Sequence, residues 1–260
     1  MPKLEGLINF EDGYVMPVDK PYGWTSSDVV RKIRVMLRWL GLRKIKVGHA
    51  GTLDPLATGV LLICIGKATK MADSLQAEEK EYLAEIELGA TTPSYDLEHP
   101  VDNRYPFEHI TRELLNEAVA SFIGENLQTP PVYSAKQIDG KRAYEYAREG
   151  EEVVMRKALV NIYDAGVVSF ELPKVVVSIR CSKGTYIRSF ARDLGERLGS
   201  GGHLTGLVRA RSGAYSVGEC FSMEEVEDYF KRTSGKFADA DQRSENTQDT
   251  PCPTTVSVKR

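Results

Sequence analysis

The chain has 260 residues, a formal net charge of −3, and 42% hydrophobic and 27% charged residues, a balance typical of soluble globular proteins long enough to bury a sizeable core. No apolar run reaches the roughly 18 residues a membrane-spanning helix needs, and the N-terminus lacks the basic-then-apolar order of a secretory signal. Charge is segregated: residues 73–125 hold 13 acids and 3 bases, leaving +7 on the remainder, so one face can attract a polyanion although the chain is acidic overall.

In chain order, VDKPYGWTSS (18–27) reads as an extended segment with a turn, and Thr25 to Asp28 offers several helix N-caps. Val29, Val30, Ile33, Leu37 and Leu40 follow at helical spacing, and Gly41 can end the helix. Seven bases and no acid stand between Arg31 and Lys46, so its outer side is basic. The stretch KVGHAGTLDPLATGVL (46–61) then holds one carboxylate, Asp54, immediately before Pro55. A residue before proline is pushed to extended angles, which places Asp54 on a loop, and Gly59 to Gly66 is a continuous apolar run suited to a strand buried on both faces. By itself this reads as an Asp-Pro turn whose side chain bonds its own backbone.

Tyr82 to Gly89 alternates, with Tyr82, Ala84, Ile86 and Leu88 on one face. Ile110 and Leu115 flank Thr111 as a hydrophobic staple around an N-cap, and Gly124 closes the helix that follows. Residues 126–147 are long and irregular, and Pro130-Pro131 forbids helix there. Tyr133, Tyr144 and Tyr146 interleave with Lys136, Lys141 and Arg142 in this segment. Aromatic faces stack on bases and cations meet phosphates, so the pattern suits single-stranded RNA, although a surface loop covering a core edge would read the same way. Val175 to Cys181 is a further strand, broken at SKGT, and Tyr186 to Leu198 reads as a helix. With Thr185 as its cap, Arg188 falls in the first turn, where the helix dipole disfavours a cation. It therefore calls for a carboxylate partner, Asp54 or the local Asp193. HLTGLVRARSGAY (203–215) adds another basic cluster, and residues 233–260 turn to Ser, Thr, Asp, Gln and Pro, the composition of a disordered tail.

The four cysteines (64, 181, 220, 252) show no CxxC spacing and read as reduced core thiols of a cytoplasmic protein, and the four histidines show no metal-ligand spacing. The intermixed strands and helices, without regular βαβ alternation, indicate an α+β class with a mixed, mostly antiparallel central sheet flanked by helices and loops.

Five stretches, KVGHAGTLDPLATGVLLICIGKATK, EKEYLAEIELG, PPVYSAKQIDGKRAYEYAREG, RCSKGTYIRSFARDLG and GGHLTGLVRARSG, stand in the order found in the bacterial TruB-type tRNA pseudouridine synthases. VDKPYGWTSSDVV matches as well, and the chain resembles that family over roughly residues 12–220. The resemblance implies the pseudouridine synthase fold and site-specific isomerisation of uridine 55 in the tRNA T loop. It implies Asp54 as nucleophile, Arg188 as its partner and Tyr82 as the residue stacking on the target uracil. Tyr186 and Leu207 match the lining of the uridine pocket, and His49 matches a contact to the everted T-loop nucleotides. Lys20, Lys136, Lys141, Arg142, Arg209 and Arg211 stand as RNA-binding candidates, with Lys20 read as structural or RNA-contacting rather than chemical. No cofactor or metal is implied, nor a guide RNA or obligate protein partner, and a monomer is expected. The expected organisation is a catalytic domain over 1–232, with an RNA-binding loop insertion at 126–155, then a polar tail over 233–260. The C-terminal RNA-binding domain of larger relatives is not recognised. Two competing readings are a tRNA-folding chaperone with chemistry secondary, and a hydrolase pairing Asp54 with His49.

Overall fold

The computed structural model describes residues 4, 6–134, 137–138, 141–143, 145–146 and 154–245. Its strands are β1 (Tyr14–Lys20), β2 (Val47–His49), β3 (Ala57–Ile65), β4 (Lys80–Leu88), β5 (Ala90–Thr91), β6 (Asn103–Arg104), β7 (Gly124–Gln128), β8 (Gln137–Ile138), β9 (Lys141–Arg142), β10 (Ala158–Glu171), β11 (Lys174–Cys181), β12 (Gly202–Ser212) and β13 (Tyr215–Ser216). Helices α1 (Ser26–Trp39), α2 (Ala72–Ala77), α3 (Arg112–Ala120), α4 (Ile187–Arg197) and α5 (Met223–Glu245) flank them. One nine-stranded sheet runs β1-β3-β12-β4-β11-β10-β7, with β2 on β3 and β13 on β12; β5–β6 and β8–β9 are separate ribbons. Among the described residues, the ladders of this sheet are antiparallel except β3–β12, which pairs Leu207 with Ala57 in parallel. The sheet is thus mixed and mostly antiparallel, as the α+β reading expects.

Local chemistry explains the elements around the site. Thr25 caps α1 reciprocally with Asp28, and Val29, Val30, Ile33, Met36 and Leu37 make its buried face. β3 is buried along almost its whole length, and β4 alternates with Ala84, Ile86 and Leu88 inward. Thr111 caps α3. At Gly195 of α4, a Cβ would stand 2.3 Å from the Gly202 amide nitrogen, so glycine is what lets this helix lie against the start of β12.

Two large apolar cores result, with a smaller cluster around Val60, Leu62 and Cys64 beside them. One lies among β4, β11, α3 and α4, and includes Ile86, Val177 and Phe190. The other lies among β1, β3, α1 and α5, and includes Ile33, Leu61 and Phe230. Tyr82 and Leu207 pack against both cores. They mark the seam where the two halves meet at the sheet's parallel joint.

Two expectations need correction. The helix after SKGT is capped by Tyr186, not Thr185, whose hydroxyl donates to the Ser182 carbonyl. Nor does ordered structure stop at Thr233: α5 runs through it to Glu245, with Thr233 itself buried and its hydroxyl bonded to the Tyr229 carbonyl. A polar residue that satisfies its hydroxyl within the helix reads in composition like a tail residue.

Candidate active site

The loop between β2 and β3 is held at nearly every residue by side chains from elsewhere. Ser26, the first residue of α1, donates to the Leu53 carbonyl and accepts from the Leu53 amide. Arg209 of β12 is almost fully buried and spreads its guanidinium over the Val60, Thr52 and Gly51 carbonyls at 2.7, 3.3 and 3.2 Å. Lys20, at the end of β1, is fully buried and donates to the Pro21, Trp24 and Pro55 carbonyls. Gly59 sits at φ +100°, where a Cβ would lie 2.3 Å from the Arg209 carbonyl oxygen, so glycine admits β12 to this loop.

The loop presents Asp54 to Arg188 of α4. Nη2 of Arg188 donates to Asp54 Oδ1 at 3.1 Å, and Nε lies 2.9 Å from Oδ2. Arg188 is 5% exposed and Asp54 38%, so the cation is sunk in protein while the carboxylate keeps an open side. The far edge of the guanidinium reaches a second carboxylate: Nη1 lies 3.6 Å from Asp96 Oδ2 and 3.4 Å from the Ser94 carbonyl oxygen. Asp96 follows Tyr95, a non-glycine residue at φ +62°. The Tyr95 carbonyl accepts from the Leu204 amide, and the Arg192 guanidinium lies 4.8 Å from its ring centroid.

A cavity of about 360 Å³ opens beside this ion pair, lined by Asp54, Tyr82, Tyr186, Arg188, Leu207 and Arg209. Gln128 grips the backbone of Tyr186, accepting from its amide and donating to its carbonyl. Burial pushes the Tyr82 phenol above its ordinary pKa, with neighbouring Arg209 pulling the other way. Burial raises Tyr186 too, opposed by neighbouring Ser134 and by the Arg188 charge. The site therefore offers an oriented carboxylate, a protonated phenol and an apolar wall, in a space within the size range of small-molecule sites.

The structure gathers Asp54, Arg188, Tyr82, Tyr186 and Leu207 around one cavity. His49 lies on β2, away from the lining, and burial followed by the Arg209 charge lowers its pKa. Of the RNA-binding candidates, Lys20 takes the structural alternative and Arg209 is turned inward. Both are buried, and their charges are spent on backbone carbonyls rather than on phosphates. Arg211 is partly exposed and pairs with Glu81 at 3.3 Å. Lys141 and Arg142 form the ribbon strand β9; their side chains, like Lys136 altogether, lie outside the described residues. Sequence reading missed Asp96 and also Lys80, which lines the cavity and donates to the carbonyls of Leu75, Gln76 and Glu78. Burial lowers the Lys80 pKa to about 8.

Comparison with known proteins gives consistent results. Residues 38–187 match the family model described as TruB family pseudouridylate synthase (N terminal domain), and residues 188–242 match the one described as tRNA pseudouridylate synthase B C-terminal domain. A relative from Phocaeicola vulgatus named tRNA pseudouridine synthase B is 55% identical, over 84% of this chain and 93% of its own length. A Bacteroides fragilis protein of the same name is 48% identical over 89% of this chain and all of its own. Among solved structures, a Cbf5-Nop10-Gar1 complex matches with a TM-score of 0.65 at 28% identity, covering 85% of this chain and 55% of that one. An H/ACA RNP bound to a substrate RNA containing 2'-deoxyuridine matches with 0.63 at 27%, covering 87% and 56%. The chain thus spans just over half the length of those two structural neighbours.

Proposed function

The chain belongs to the TruB family of pseudouridylate synthases, isomerases that turn uridine of tRNA into pseudouridine, and from that premise we propose that its target is uridine 55 of the T loop and that Asp54 is the nucleophile. The observation that carries the assignment is the forked contact of Arg188 on Asp54 at the mouth of the cavity. The guanidinium orients the carboxylate and fixes its lone pairs, which is what a group that must attack, form an adduct and leave requires.

The reaction conserves atoms. The C1′–N1 bond breaks, the uracil turns, C5 bonds to C1′, C5 loses a proton and N1 gains one. A base stacked within the tRNA elbow cannot be reached, so it must be flipped out. Tyr82 then provides the face on which the uracil lies, and Leu207 and Tyr186 bound it. Because burial keeps the Tyr82 phenol protonated, stacking and proton donation suit it, and service as a base at neutral pH does not. His49 is assigned to the everted nucleotides beside the pocket. The enzyme is further read as acting alone in the cytoplasm, as a monomer without guide RNA.

Asp54→Asn keeps the shape and removes the nucleophile. Assayed on a T-arm transcript, it is expected to form no pseudouridine; product at near wild-type rate would end the assignment.

A further inference from the structure

The acidic chain concentrates its cations on one surface that the site does not use. On α1, Arg31, Arg34, Val35 and Arg38 follow the i, i+3, i+4, i+7 spacing of a single stripe, and all four are exposed. Trp39 is 41% exposed beside them, and the turn after the helix adds exposed Arg43, Lys44 and Lys46. No acid lies between Val29 and Lys46. Arg31 pairs with Asp28 and Lys32 with Glu227, while Arg34 donates to the Val47 carbonyl. Arg38, Arg43, Lys44 and Lys46 have no carboxylate partner among the described residues. Like charges at i,i+3 and i,i+4 weaken a helix, so this stripe carries a cost that a polyanion would relieve.

The position of the stripe is fixed by register. The start of α1 bonds to Leu53, next to Asp54. The helix then runs about 20 Å to Trp39. The turn after it ends at the far end of β3, where the Lys46 carbonyl accepts from Gly66 and Val47 pairs with Ile65. The near end of β3, Ala57, pairs with Leu207 of the cavity. The cationic surface and the cavity therefore sit at opposite ends of the same strand, roughly 25 Å apart.

We propose that the surface formed by Arg38, Arg43, Lys44 and Lys46, with Trp39 beside them, is a second docking site for the substrate tRNA, holding backbone phosphates of a part of the molecule beyond the stem-loop that carries the target. The proposal rests on the T-loop reading above and extends it. Phosphate contacts of this kind position the RNA and read no sequence. They raise affinity without touching the reacting atoms, so they act on KM and not on kcat.

The test is the triple variant Arg38→Glu/Arg43→Glu/Lys44→Glu, assayed on a full-length tRNA transcript and on an isolated T-arm hairpin. All three positions are exposed, and an unchanged thermal midpoint checks the fold. For full-length tRNA, KM is expected to rise about tenfold or more with kcat unchanged, and the slope of log affinity against log salt to fall by roughly 2 to 3. The hairpin is expected to be converted as by wild type. An unchanged KM for full-length tRNA overturns the proposal, and leaves this surface to another partner or to none. An equal loss on the hairpin also overturns it, by placing the contact on the target arm. Wild-type enzyme that left uridine 55 unmodified in both substrates would instead defeat the T-loop reading.

Discussion

The guanidinium of Arg192 lies 4.8 Å from the ring centroid of Tyr95, one helical turn beyond Arg188, whose own guanidinium pairs with Asp54. Two arginines on one face of α4 thus act on two consecutive shells. Arg188 holds the carboxylates, and Arg192 covers the left-handed residue that delivers Asp96. Arg192 also bonds Asp193 and the Thr129 carbonyl, so its position does not depend on Tyr95. Removing the ring's cover in Arg192→Ala should lower kcat several-fold while leaving KM for tRNA within about twofold, since a cation–π contact is worth roughly 1 kcal/mol. Steady-state kinetics separate the two constants.

Asp96→Asn removes one of the two charges on Arg188 and keeps its volume. Arg188 would then face Asp54 alone, and its outer edge would be less fixed. We expect kcat to fall by at least tenfold with the tRNA dissociation constant little changed, read by single-turnover assay and filter binding.

Arg188→Lys keeps the charge and loses the fork. One ammonium cannot reach Asp54, Asp96 and the Ser94 carbonyl together, so activity should drop roughly a hundredfold or more. Arg188→Ala also leaves Asp96 buried without a cation, at a cost of about 3 kcal/mol. Urea denaturation should show that loss for Ala and a much smaller one for Lys.

Gly59→Ala meets the Arg209 backbone at 2.3 Å, from a φ of +100°. No side-chain rotation relieves a contact between backbone and Cβ. The variant should lose several kcal/mol of stability or fail to accumulate, whereas Gly218→Ala, with open space around it, should melt like wild type.

Burial lowers the Lys20 pKa from 10.5 to about 8. Below about pH 8 the ammonium is charged in folded and unfolded chains alike, and the fold bears the whole desolvation cost. Between about 8 and 10.5 the unfolded chain binds more protons, so this group makes stability rise with pH. Above that both forms are neutral. The gap in stability between wild type and Lys20→Met should therefore shift in favour of wild type as pH climbs through this window. A gap independent of pH would mean that Lys20 titrates normally.

Much of this arrangement was readable from residues. The capping signal at Thr25–Asp28, the alternation from Tyr82 and the unbroken apolar run of β3 are local, because caps and periodicities are set by near neighbours. The five matching stretches led to the family, and the fold followed. The burial of Lys20 and Arg209 is not legible locally, because a cation in a sequence looks like a surface group. What buries them are carbonyls of Pro55 and of residues 51–60, reached only through the β1–β3 and β3–β12 ladders. Asp96 was missed for the opposite reason. It is one acid among 13 in residues 73–125, and nothing local separates a buried aspartate in a turn from its solvated neighbours.

The segment matched by the N-terminal family model ends at Ile187, and the segment matched by the C-terminal one begins at Arg188. Asp54 and its counterion therefore belong to different segments, and the wall residue Leu207 lies with the arginine. A recombinant that exchanged the second segment for a foreign one would import the partner of its own carboxylate. Expressed apart, the first segment would hold an acid with no guanidinium, and the second a guanidinium with no acid. A match to two family models does not make this candidate centre divisible.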